Sequence, residues 1–525
     1  MLALRNLRGS FLPEIELKLL LEKQQVPDTL ARIERLPTAT RRIRGTRHLH
    51  SLYFDTSEGA LRENGITLRL RCTGTQWLQT IKLDGSIKGG LSRVTEIERM
   101  VPAGVVSIDA IENEEVRDRI TRLVKNTQLQ TVAETRIRRT QVDLHLDDGT
   151  KAEIALDSGA VKAAGRSAPL HELEIELIEG HPTGLYRGAR MILPDGALRF
   201  SRFSKAARSV LLAKHGYIEP PAVPRKAVRV PITRKSSIGE AAEDMLQECL
   251  AQISANIEAV RKTEDMEGPH QLRIGLRRLR SALSLFNRVI EPSIVIQFAN
   301  EARWLGHEVG RLRDLDVVLN DVARPFYARI HREPGANLVL STLERHARKV
   351  RADLRHTLST ERVNVFLLGL SELIQTGLRT PAKPNRKLKD LADEKLEKRW
   401  NHLLTRAEGI ESFATDQKHA LRKALKKLRY AIEFLGPLYA PADVKRLSSR
   451  LKTLQTMFGS LNDAAVTQLI LCRPPLSSIN DPSAQRAIGR LLGACETRSV
   501  YDWPATIEDW KRLQAFRPFW QHSQP

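Results

Sequence analysis

The spacing of apolar residues changes abruptly along this chain. Before residue 218, apolar and charged residues alternate strictly in several short segments, such as Glu14–Leu19 and Glu172–Leu177. A period of two residues is typical of β-strands. After residue 236, apolar residues recur with the 3.6-residue period of helices. The sequence therefore predicts a β-rich region followed by an all-helical region.

A segment with four prolines and no helical period, residues 218–236, lies between these regions. Prolines at this density break helices and are confined to sheet edges. We therefore predict one domain over 1–217, a linker over 218–236 and a second domain over 237–525. A further proline-containing break is expected at 380–387, inside the helical region.

The formal net charge of the chain is +22, which predicts a polyanionic partner. Residues 1–220 hold 34 Lys+Arg and 28 Asp+Glu, a net +6, which leaves +16 for the remainder. Nucleic acid is the default polyanion for such a charge. Aromatic residues make up only 5% of the chain, however, which is few for surfaces that stack bases.

Features that mark membrane or secreted proteins are missing from the sequence. No apolar run reaches the roughly 18 residues that a membrane span needs, and the first residues lack the apolar core of a signal peptide. We therefore expect a cytoplasmic protein without a membrane partner. Four scattered cysteines disfavour a disulfide scaffold or a zinc site.

A segment that begins at His270 recurs 149 positions later, from His419. Leu272, Leu276 and Leu279 recur at the same offset, and Arg277 is matched by Lys426. The same offset maps Gly310, Leu312, Asp314 and Val317 onto Gly459, Leu461, Asp463 and Val466. One offset that serves two separated segments indicates an internal duplication. We predict two helical bundles, over about 237–379 and 386–525.

Basic residues share one face of each matched helix. At 100° per residue, His270, Arg273, Arg277 and Arg280 fall within an arc of about 80°. A merely solvated face normally carries acids four residues from its bases, and no acid falls on either arc. Such a row of cations suits repeated phosphates. The polyphosphate-binding candidates are His270, Arg273, Arg277, Arg280, Arg303, His419, Arg422, Lys426, Arg429 and Lys452.

Two alternatives remain for these helices. The arcs are also compatible with a solvated face of incidental charge, and each histidine is also compatible with a helix cap or a core residue. We interpret the histidines as phosphate-facing donors because they occupy matched positions beside the arcs.

These motifs resemble the CHAD family, the conserved-histidine α-helical domain, over about residues 236–520. The resemblance rests on the segments around His270 and after Gly310, each of which occurs twice in the expected order. It implies two pseudo-symmetric helical bundles around a basic channel that binds inorganic polyphosphate. The second copy departs from the motif, since Arg313 is replaced by Asn462 and Asp316 by Ala465.

The polar faces of the predicted N-terminal strands carry charges that segregate by strand. Acids and bases would be interleaved on a surface that only confers solubility, although a sheet with one solvated charged face remains the alternative. If the strands close into a barrel, the charges line its lumen. Bases would then hold phosphate oxygens, and clustered carboxylates would offer the hard ligands that Mg²⁺ or Mn²⁺ prefers. The charged positions are Glu14, Glu16, Lys18, Arg69, Arg71, Lys82, Glu96, Glu98, Arg136, Arg138, Asp157, Glu172, Glu174 and Glu176.

This arrangement resembles the CYTH superfamily, the triphosphate tunnel metalloenzymes, over residues 1 to about 215. Its E-x-E-x-K signature stands at Glu14–Lys18 and is followed in order by Leu68–Arg71, Thr80–Leu83, Arg136–Arg138 and Glu172–Glu176. The resemblance implies that triphosphate is bound by Lys18, Arg69, Arg71, Lys82, Arg136, Arg138 and Lys205.

The same resemblance implies the metal ligands. The strongest candidates are Glu14, Glu16, Glu174 and Glu176, with support from Glu96, Glu98, Asp157 and Glu172. Glu14, Glu16, Lys18 and Lys82 are implied as the catalytic residues. Arg93 departs from the spacing usual in the family, which leaves its position in the lumen open.

The sequence thus predicts a multidomain α+β protein, with an antiparallel β-barrel tunnel flanked by helices and an all-α region of duplicated bundles. We expect Mg²⁺- or Mn²⁺-dependent hydrolysis of inorganic tripolyphosphate to diphosphate and phosphate, by a metal-activated water. Polyphosphate is the expected second partner, and association with polyphosphate granules is a further hypothesis. The alternatives are a non-catalytic polyphosphate-binding protein, a nucleoside or thiamine triphosphatase, an adenylate cyclase, or nucleic-acid binding by the helical region.

Overall fold

The computed structural model describes residues 13–521 except 38, 103, 126, 194, 331 and 379–385. The chain forms two compact units. The first unit holds the described residues up to Pro221 together with Ser359–Thr376, and the second holds Ala222–Leu358 and the residues from Gly377 onward. Most of the predicted break at 380–387, and the N-terminal residues 1–12, lie outside the described residues.

Eight antiparallel strands of the first unit close into a barrel, as the sequence predicted. Their order around the barrel is β1-β5-β4-β3-β2-β6-β7-β8, so every strand has two neighbours and the sheet has no free edge. The strands are β1 (Glu14–Leu20), β2 (Arg41–Asp55), β3 (Ile66–Thr73), β4 (Gln76–Lys88), β5 (Leu91–Val101), β6 (Gln130–His145), β7 (Lys151–Ala163) and β8 (Arg166–Glu179).

Short helices cover the outer, apolar side of the barrel. On β3 and β4, Leu68 and Ile81 pack with Ile120 of α3 and Leu61 of α2 in one buried cluster. Burial of this face leaves the alternate, charged positions of the same strands for the lumen. The helices between the strands and after them are α1 (Gln25–Arg35), α2 (Ala60–Glu63), α3 (Glu114–Val124), α4 (Thr183–Ile192) and α5 (Lys205–His215).

An apolar plug closes one end of the lumen. Leu49, Ile137 and Leu170 come from three strands and pack against Leu212 of α5 in one buried cluster. Helix α5 begins where the Ser204 side chain accepts a hydrogen bond from the Ala207 backbone N–H, the usual N-cap arrangement. Because α5 starts at Lys205 and carries Leu212 two turns later, the same helix contributes to the charged lumen and to its apolar end.

The second unit is all-helical, and the duplication predicted from the sequence appears as four matched helices. Helices α6, α7, α8 and α10 begin at 238, 267, 292 and 336, whereas α12, α13, α14 and α15 begin at 388, 415, 441 and 482. Each second helix thus begins within three residues of the 149-residue offset. Their bounds are α6 (Ile238–Lys262), α7 (Glu267–Leu285), α8 (Pro292–Val317), α10 (Ala336–Thr357), α12 (Leu388–Arg406), α13 (Thr415–Leu435), α14 (Pro441–Leu471) and α15 (Pro482–Gln514).

The two copies differ after α8 and α14. Helix α8 continues into a π-helical turn at Val318–Ala323 and then into the short α9, Arg324–Arg329. Helix α14 instead continues in regular form to Leu471. No helix among the described residues is long and apolar enough to cross a membrane.

Helix α11 (Glu361–Thr376) packs on the barrel although it lies within the helical half of the sequence. The buried Asn364 accepts a hydrogen bond from the Leu198 backbone N–H at 2.8 Å and donates one to the Gly196 carbonyl at 2.7 Å. Ser371 is fully buried and lies 3.0 Å from the Tyr186 hydroxyl. The sequence-based boundaries, which place these residues in the first repeat, remain a prediction.

Candidate functional site: a charged lumen and a basic helical cluster

One half of the lumen is built around two buried lysines from β1 and α5. Lys18 Nζ lies 2.8 Å from Glu16 and 2.5 Å from Glu174. Lys205 Nζ lies 2.9 Å from Asp157 and from Glu172. Burial alone would lower the pKa of Lys18, but the carboxylates of Glu16 and Glu174 raise it well above its usual value. Both ammonium groups are therefore held in the charged form at neutral pH.

Arg139 completes this cluster from β6. Its guanidinium donates two hydrogen bonds of 2.7 Å to the fully buried Asp157, in the bidentate geometry typical of arginine and carboxylate. It also donates to Glu174 at 2.5 Å. Burial would raise the pKa of Asp157, but Arg139 and Lys205 lower it. Arg139 was missed in the sequence, where the alternation of Arg136 and Arg138 drew attention instead.

The other half of the lumen joins β1, β3, β4 and β5. Lys82 Nζ lies 2.9 Å from Glu14 and 3.0 Å from Glu96. Arg69 donates to Thr80 at 3.0 Å and to Glu96 at 3.3 Å. The Thr80 hydroxyl in turn donates to Glu98 at 3.0 Å. The register explains this meeting, since Lys82 lies directly opposite Glu96 across the ladder.

Glu14 and Glu96 form a carboxyl pair in this second cluster. Burial and the hydrogen bond to Glu96 raise the pKa of Glu14 to about 9. Burial would also raise the pKa of Glu96, but Lys82, the hydrogen bond from Glu14 and Arg69 together lower it. At neutral pH, Glu14 is therefore protonated and Glu96 is ionised.

Arg71 of β3 brings to the centre of the lumen a positive charge that pairs with no carboxylate among the described residues, and the neighbouring Arg69 is incompletely satisfied. Burial, with repulsion from Arg69 and Arg139, lowers the pKa of Arg71 to about 10. Its one hydrogen bond to a described residue is a long one, 3.4 Å from Nε to Ser51. The buried Nε of Arg69 has no hydrogen-bond partner among the described residues. Crowded, under-satisfied guanidinium groups of this kind favour an anion.

Most residues predicted for the triphosphate site share the lumen. Glu176 lies directly opposite Glu16 in the β1–β8 ladder, and so shares the inner face. The residues that the structure brings together are Glu14, Glu16, Lys18, Arg69, Arg71, Lys82, Glu96, Glu98, Asp157, Glu172, Glu174, Glu176 and Lys205.

Arg136 and Arg138 are not in the lumen, and this part of the prediction is corrected. Successive residues of a strand point to opposite faces, and Arg139 occupies the inner face beside Asp157. Arg136 and Arg138 are exposed, and Arg136 pairs with Glu134 of its own strand. Arg93 also faces outward, where its Nη1 donates to Gln375 of α11 at 2.8 Å.

The lumen carboxylates have the chemistry of a site for a hard divalent cation. Within the described part of the chain, no group of three His, Cys, Asp or Glu side chains is already arranged to hold a metal ion, and most of the lumen carboxylates pair with a lysine or an arginine. Glu14 and Glu96 both lie within 3.0 Å of Lys82 Nζ, so the structure brings these two carboxyl groups together. A divalent cation can replace a proton held between two carboxyl groups, and oxygen ligands suit Mg²⁺ and Mn²⁺.

In the helical unit, the two predicted basic arcs meet. Burial, with repulsion from Arg277, Arg422 and Arg273, lowers the pKa of Lys426 to about 6. Burial and Arg273 likewise lower the pKa of Arg277 to about 10. Cations of α7 and α13 therefore crowd one another in a half-buried cluster, which has the charge of an anion-binding site.

The acidic positions of the repeated motif lie beside this cluster. Arg273 pairs with Asp314 of α8 at 2.6 Å. In the second copy, Arg422 donates instead to Asn462 at 2.9 Å. The replacement of Arg313 by Asn462 thus supplies an amide oxygen where the first copy uses a carboxylate.

The remaining candidates lie at the margins of the cluster. Burial and Arg313 lower the pKa of the partly buried His270, whereas burial and Lys423 lower that of the exposed His419. Arg280 lies close enough to Arg303 that burial and this neighbour lower its pKa. Arg303 and Lys452 are exposed, and Arg429 stacks over the Tyr430 ring at 5.1 Å.

Comparison with known proteins matches both parts of the chain. A model of the CYTH domain matches residues 12–210, and a model of the CHAD domain matches residues 244–472. An uncharacterized protein of Mycobacterium tuberculosis is 24% identical over 450 residues, which is 81% of each chain. An inorganic triphosphatase of Haemophilus influenzae is 26% identical over 215 residues, 39% of this chain and 57% of that protein.

Among solved structures, the CHAD domain from the plant Ricinus communis is similar at 27% identity with a TM-score of 0.49. The match covers 56% of this chain and 98% of that domain. The two domain models fall on the barrel and on the duplicated helices, respectively. The chain therefore carries a CYTH domain followed by a CHAD domain.

Proposed function

We propose that the barrel hydrolyses inorganic triphosphate to diphosphate and orthophosphate with the help of Mg²⁺ or Mn²⁺. The CYTH domain and its triphosphatase relative support triphosphate hydrolysis at the level of the family, and CYTH triphosphate tunnel metalloenzymes are metal-dependent. The observation that carries the specific proposal is the closed lumen, in which buried cations from five elements surround a set of carboxylates.

The cations of the lumen would bind the three phosphates. Lys18, Lys205 and Arg139 lie on one side, and Arg69, Arg71 and Lys82 lie on the other. Five of these groups pair with carboxylates, whereas Arg71 pairs with none among the described residues, so the substrate would displace some of the carboxylates. Because the lumen is apolar at one end, a chain of phosphates would enter from the opposite, charged end.

The carboxylates would hold the metal. Glu14 and Glu96, with Glu16 and Glu98 nearby, are the residues that we assign to it, and Glu172, Glu174, Glu176 and Asp157 are the second set. A metal bound there would neutralise phosphate charge and lower the pKa of a water molecule.

The chain's own residues account for the rest of the reaction. A water oxygen forms a bond to the terminal phosphorus, the bridging P–O bond breaks, diphosphate leaves, and a proton passes to solvent. Arg69, Arg71 and Lys82 would stabilise the charge on the transferred phosphoryl group, because they are fixed before the substrate arrives.

We further propose that the helical unit binds long-chain polyphosphate at the cluster formed by the two arcs. The lowered pKa of Lys426 supports this assignment, because an anion would stabilise the charged form of a half-buried lysine that other cations repel.

A substrate panel with the full chain tests the triphosphatase. Phosphate release from tripolyphosphate with Mg²⁺ or Mn²⁺ should exceed release from ATP and thiamine triphosphate by at least tenfold. Glu14→Gln and Glu16→Gln should abolish turnover, whereas the exposed Glu63→Gln should not. Equal or faster turnover of ATP or thiamine triphosphate would overturn the assignment to inorganic triphosphate.

A further inference from the structure

A pocket of about 310 Å³ lies in the helical unit, where the π-helical turn after α8 faces α10. Its lining residues include Asp316, Asn320, Arg324, Arg348 and Arg351. No lining residue belongs to either basic arc, and the pocket is remote in sequence from the lumen residues. It is therefore distinct from both the lumen and the cluster of basic arcs.

Two buried side chains of opposite charge form the floor of this pocket, and each leaves one polar atom without a partner. Arg351 pairs through its Nε with Glu264 at 3.2 Å. Asp316 and Arg351 are 4% and 6% exposed. Arg351 Nη2 lies 3.6 Å from Asp316 Oδ2, which is too far for a hydrogen bond. Asp316 Oδ2 and Arg351 Nη1 have no hydrogen-bond partner within the described residues. Buried polar atoms normally have partners, so the floor offers one acceptor and one donor to a ligand.

The second copy of the repeat lacks both members of this pair. At the offset of 149 residues, Ala465 stands for Asp316 and Val500 stands for Arg351. Both members are therefore replaced together by apolar residues in α14 and α15, which match α8 and α10. Val500 is 71% exposed and Ala465 is also exposed, whereas Asp316 and Arg351 are buried. The buried charge pair is therefore a feature of the first copy alone.

The rim of the pocket is basic. Arg324 is paired with Glu344 and Asn320, whereas Arg348 is exposed and makes no hydrogen bond or ion pair with any residue that the structure describes. Asn320, in the π-helical turn, donates from Nδ2 to the Asp316 carbonyl at 2.9 Å. Turns of this type widen a helix locally and are frequent at functional sites.

We propose that this pocket binds a hydrogen-phosphate group, either free orthophosphate or the terminal phosphate of a chain. Its unprotonated oxygens would accept hydrogen bonds from Arg351 Nη1 and from Arg348, and its P–OH would donate to Asp316 Oδ2. Sulfate has the same shape but no proton at neutral pH, so it cannot satisfy Asp316. The site is independent of hydrolysis in the lumen.

The test compares orthophosphate binding by variants of the full chain, measured by equilibrium dialysis with labelled orthophosphate. Asp316→Ala with Arg351→Val gives the first copy the residues of the second, and should weaken one binding equivalent by at least tenfold. Arg348→Met, at the exposed rim, should weaken the same equivalent several-fold. Arg345→Met removes a charge from the exposed side of α10 and serves as the control. Sulfate should compete at least tenfold less well than orthophosphate.

A second experiment, which measures the binding of short and long polyphosphate by the same variants, distinguishes free orthophosphate from the terminal phosphate of a chain. A loss of affinity for short chains, with orthophosphate binding unchanged, would assign the pocket to chain ends, and would support the proposal as well. The proposal would be overturned if the double variant bound orthophosphate and short polyphosphate as tightly as the Arg345→Met control does. It would also be overturned if sulfate competed as well as orthophosphate. If the double variant does not fold, the Arg348→Met result decides in the same way. Tripolyphosphate turnover is recorded in parallel, and its absence would count against the triphosphatase alone.

Discussion

Arg136 and Arg139 lie three positions apart on β6 but on opposite faces of the barrel. Arg139 is the inner residue and reaches Asp157 and Glu174, whereas Arg136 is exposed. This difference separates a cation that can contact phosphate from one that cannot, although both have the same side chain on the same strand.

Arg139→Met should lower kcat/KM for tripolyphosphate by at least 100-fold, which corresponds to about 2.7 kcal/mol of transition-state stabilisation. The variant removes a bidentate partner of Asp157 as well as a phosphate ligand. Arg136→Met is the matched control and should change kcat/KM less than threefold. Steady-state phosphate release measures kcat/KM for both variants. A larger loss of kcat/KM in the Arg136 variant would show that Arg136, and not Arg139, contacts the substrate.

Glu14 is the residue whose protonation should report metal binding. Its pKa of about 9 means that it is protonated at pH 7.5 in the ligand-free protein. Because the folded value lies above the ordinary one, the stability that this proton contributes is lost as the pH rises toward 9. A cation that replaces the proton also becomes easier to bind over the same range.

Binding of Mn²⁺ or Mg²⁺ at pH 7.5 should therefore release about one proton, and the Glu14→Gln variant should not release it. Titration calorimetry in buffers of different ionisation enthalpy counts the protons. Glu63→Gln, a change at an exposed carboxylate, should behave as the unaltered protein. Equal proton release from the Glu14→Gln variant would show that the metal does not displace this proton.

The sequence predicted most of the lumen because, in segments of β1, β3, β5 and β8, every second residue is charged and the residues between them are mostly apolar. It failed on β6 because that strand carries charges in both alternating sets of positions, including Arg136, Arg138, Arg139 and Asp143. Which set faces inward is decided by the ladder, where Arg139 lies opposite Asp157. That pairing depends on β7 and cannot be read from β6 alone.

At the scale of elements, α7 and α13 show what a duplication adds to a basic helix. One arc alone would point into solvent, where its charges would be screened. Two arcs that face each other bury their cations together, and the pKa of Lys426 falls to about 6 as a result. The arcs could be predicted from helical periodicity, but their meeting depends on tertiary packing.

Polyphosphate binding should consequently take up a proton at Lys426. Its affinity should rise as the pH falls from 8.5 to 7, by up to about tenfold per pH unit, because the bound anion restores the charged form. Lys426→Arg should flatten this dependence, since arginine stays charged. Lys423→Arg, on an exposed position of α13, should retain it. Binding isotherms at each pH measure the effect, and an unchanged slope in the Lys426→Arg variant would contradict it.

At the scale of the whole molecule, the barrel includes a helix, α11, that begins 182 residues after the end of its last strand. Periodicity predicted helical structure over this segment, and the predicted boundaries assign it to the first bundle. Periodicity alone does not choose between bundle and barrel, because an apolar helix packs equally well by pattern on either. The location is fixed by particular polar contacts. Asn364 satisfies the Leu198 N–H and the Gly196 carbonyl, and Ser371 donates to the Gly89 carbonyl at 2.7 Å.

These contacts predict that α11 stabilises the barrel near the lumen. Gly89 precedes Gly90, whose carbonyl accepts a hydrogen bond of 2.8 Å from the backbone N–H of Lys18. Asn364→Ala would leave two backbone groups unpaired in the interior, at a cost of about 1–3 kcal/mol each. Ser371→Ala would release the turn that adjoins the Lys18 backbone.

The double variant Asn364→Ala, Ser371→Ala should therefore speed amide hydrogen exchange at residues 89–93 and 196–198, and should lower the midpoint of thermal inactivation of tripolyphosphate hydrolysis. Polyphosphate affinity should stay the same, because the α7 and α13 cluster does not include α11. Val365→Ala changes a partly exposed position of α11 and is the control. If the rates of amide exchange at residues 89–93 and 196–198 in the double variant equal those of the Val365→Ala control, the contacts of α11 do not stabilise the barrel.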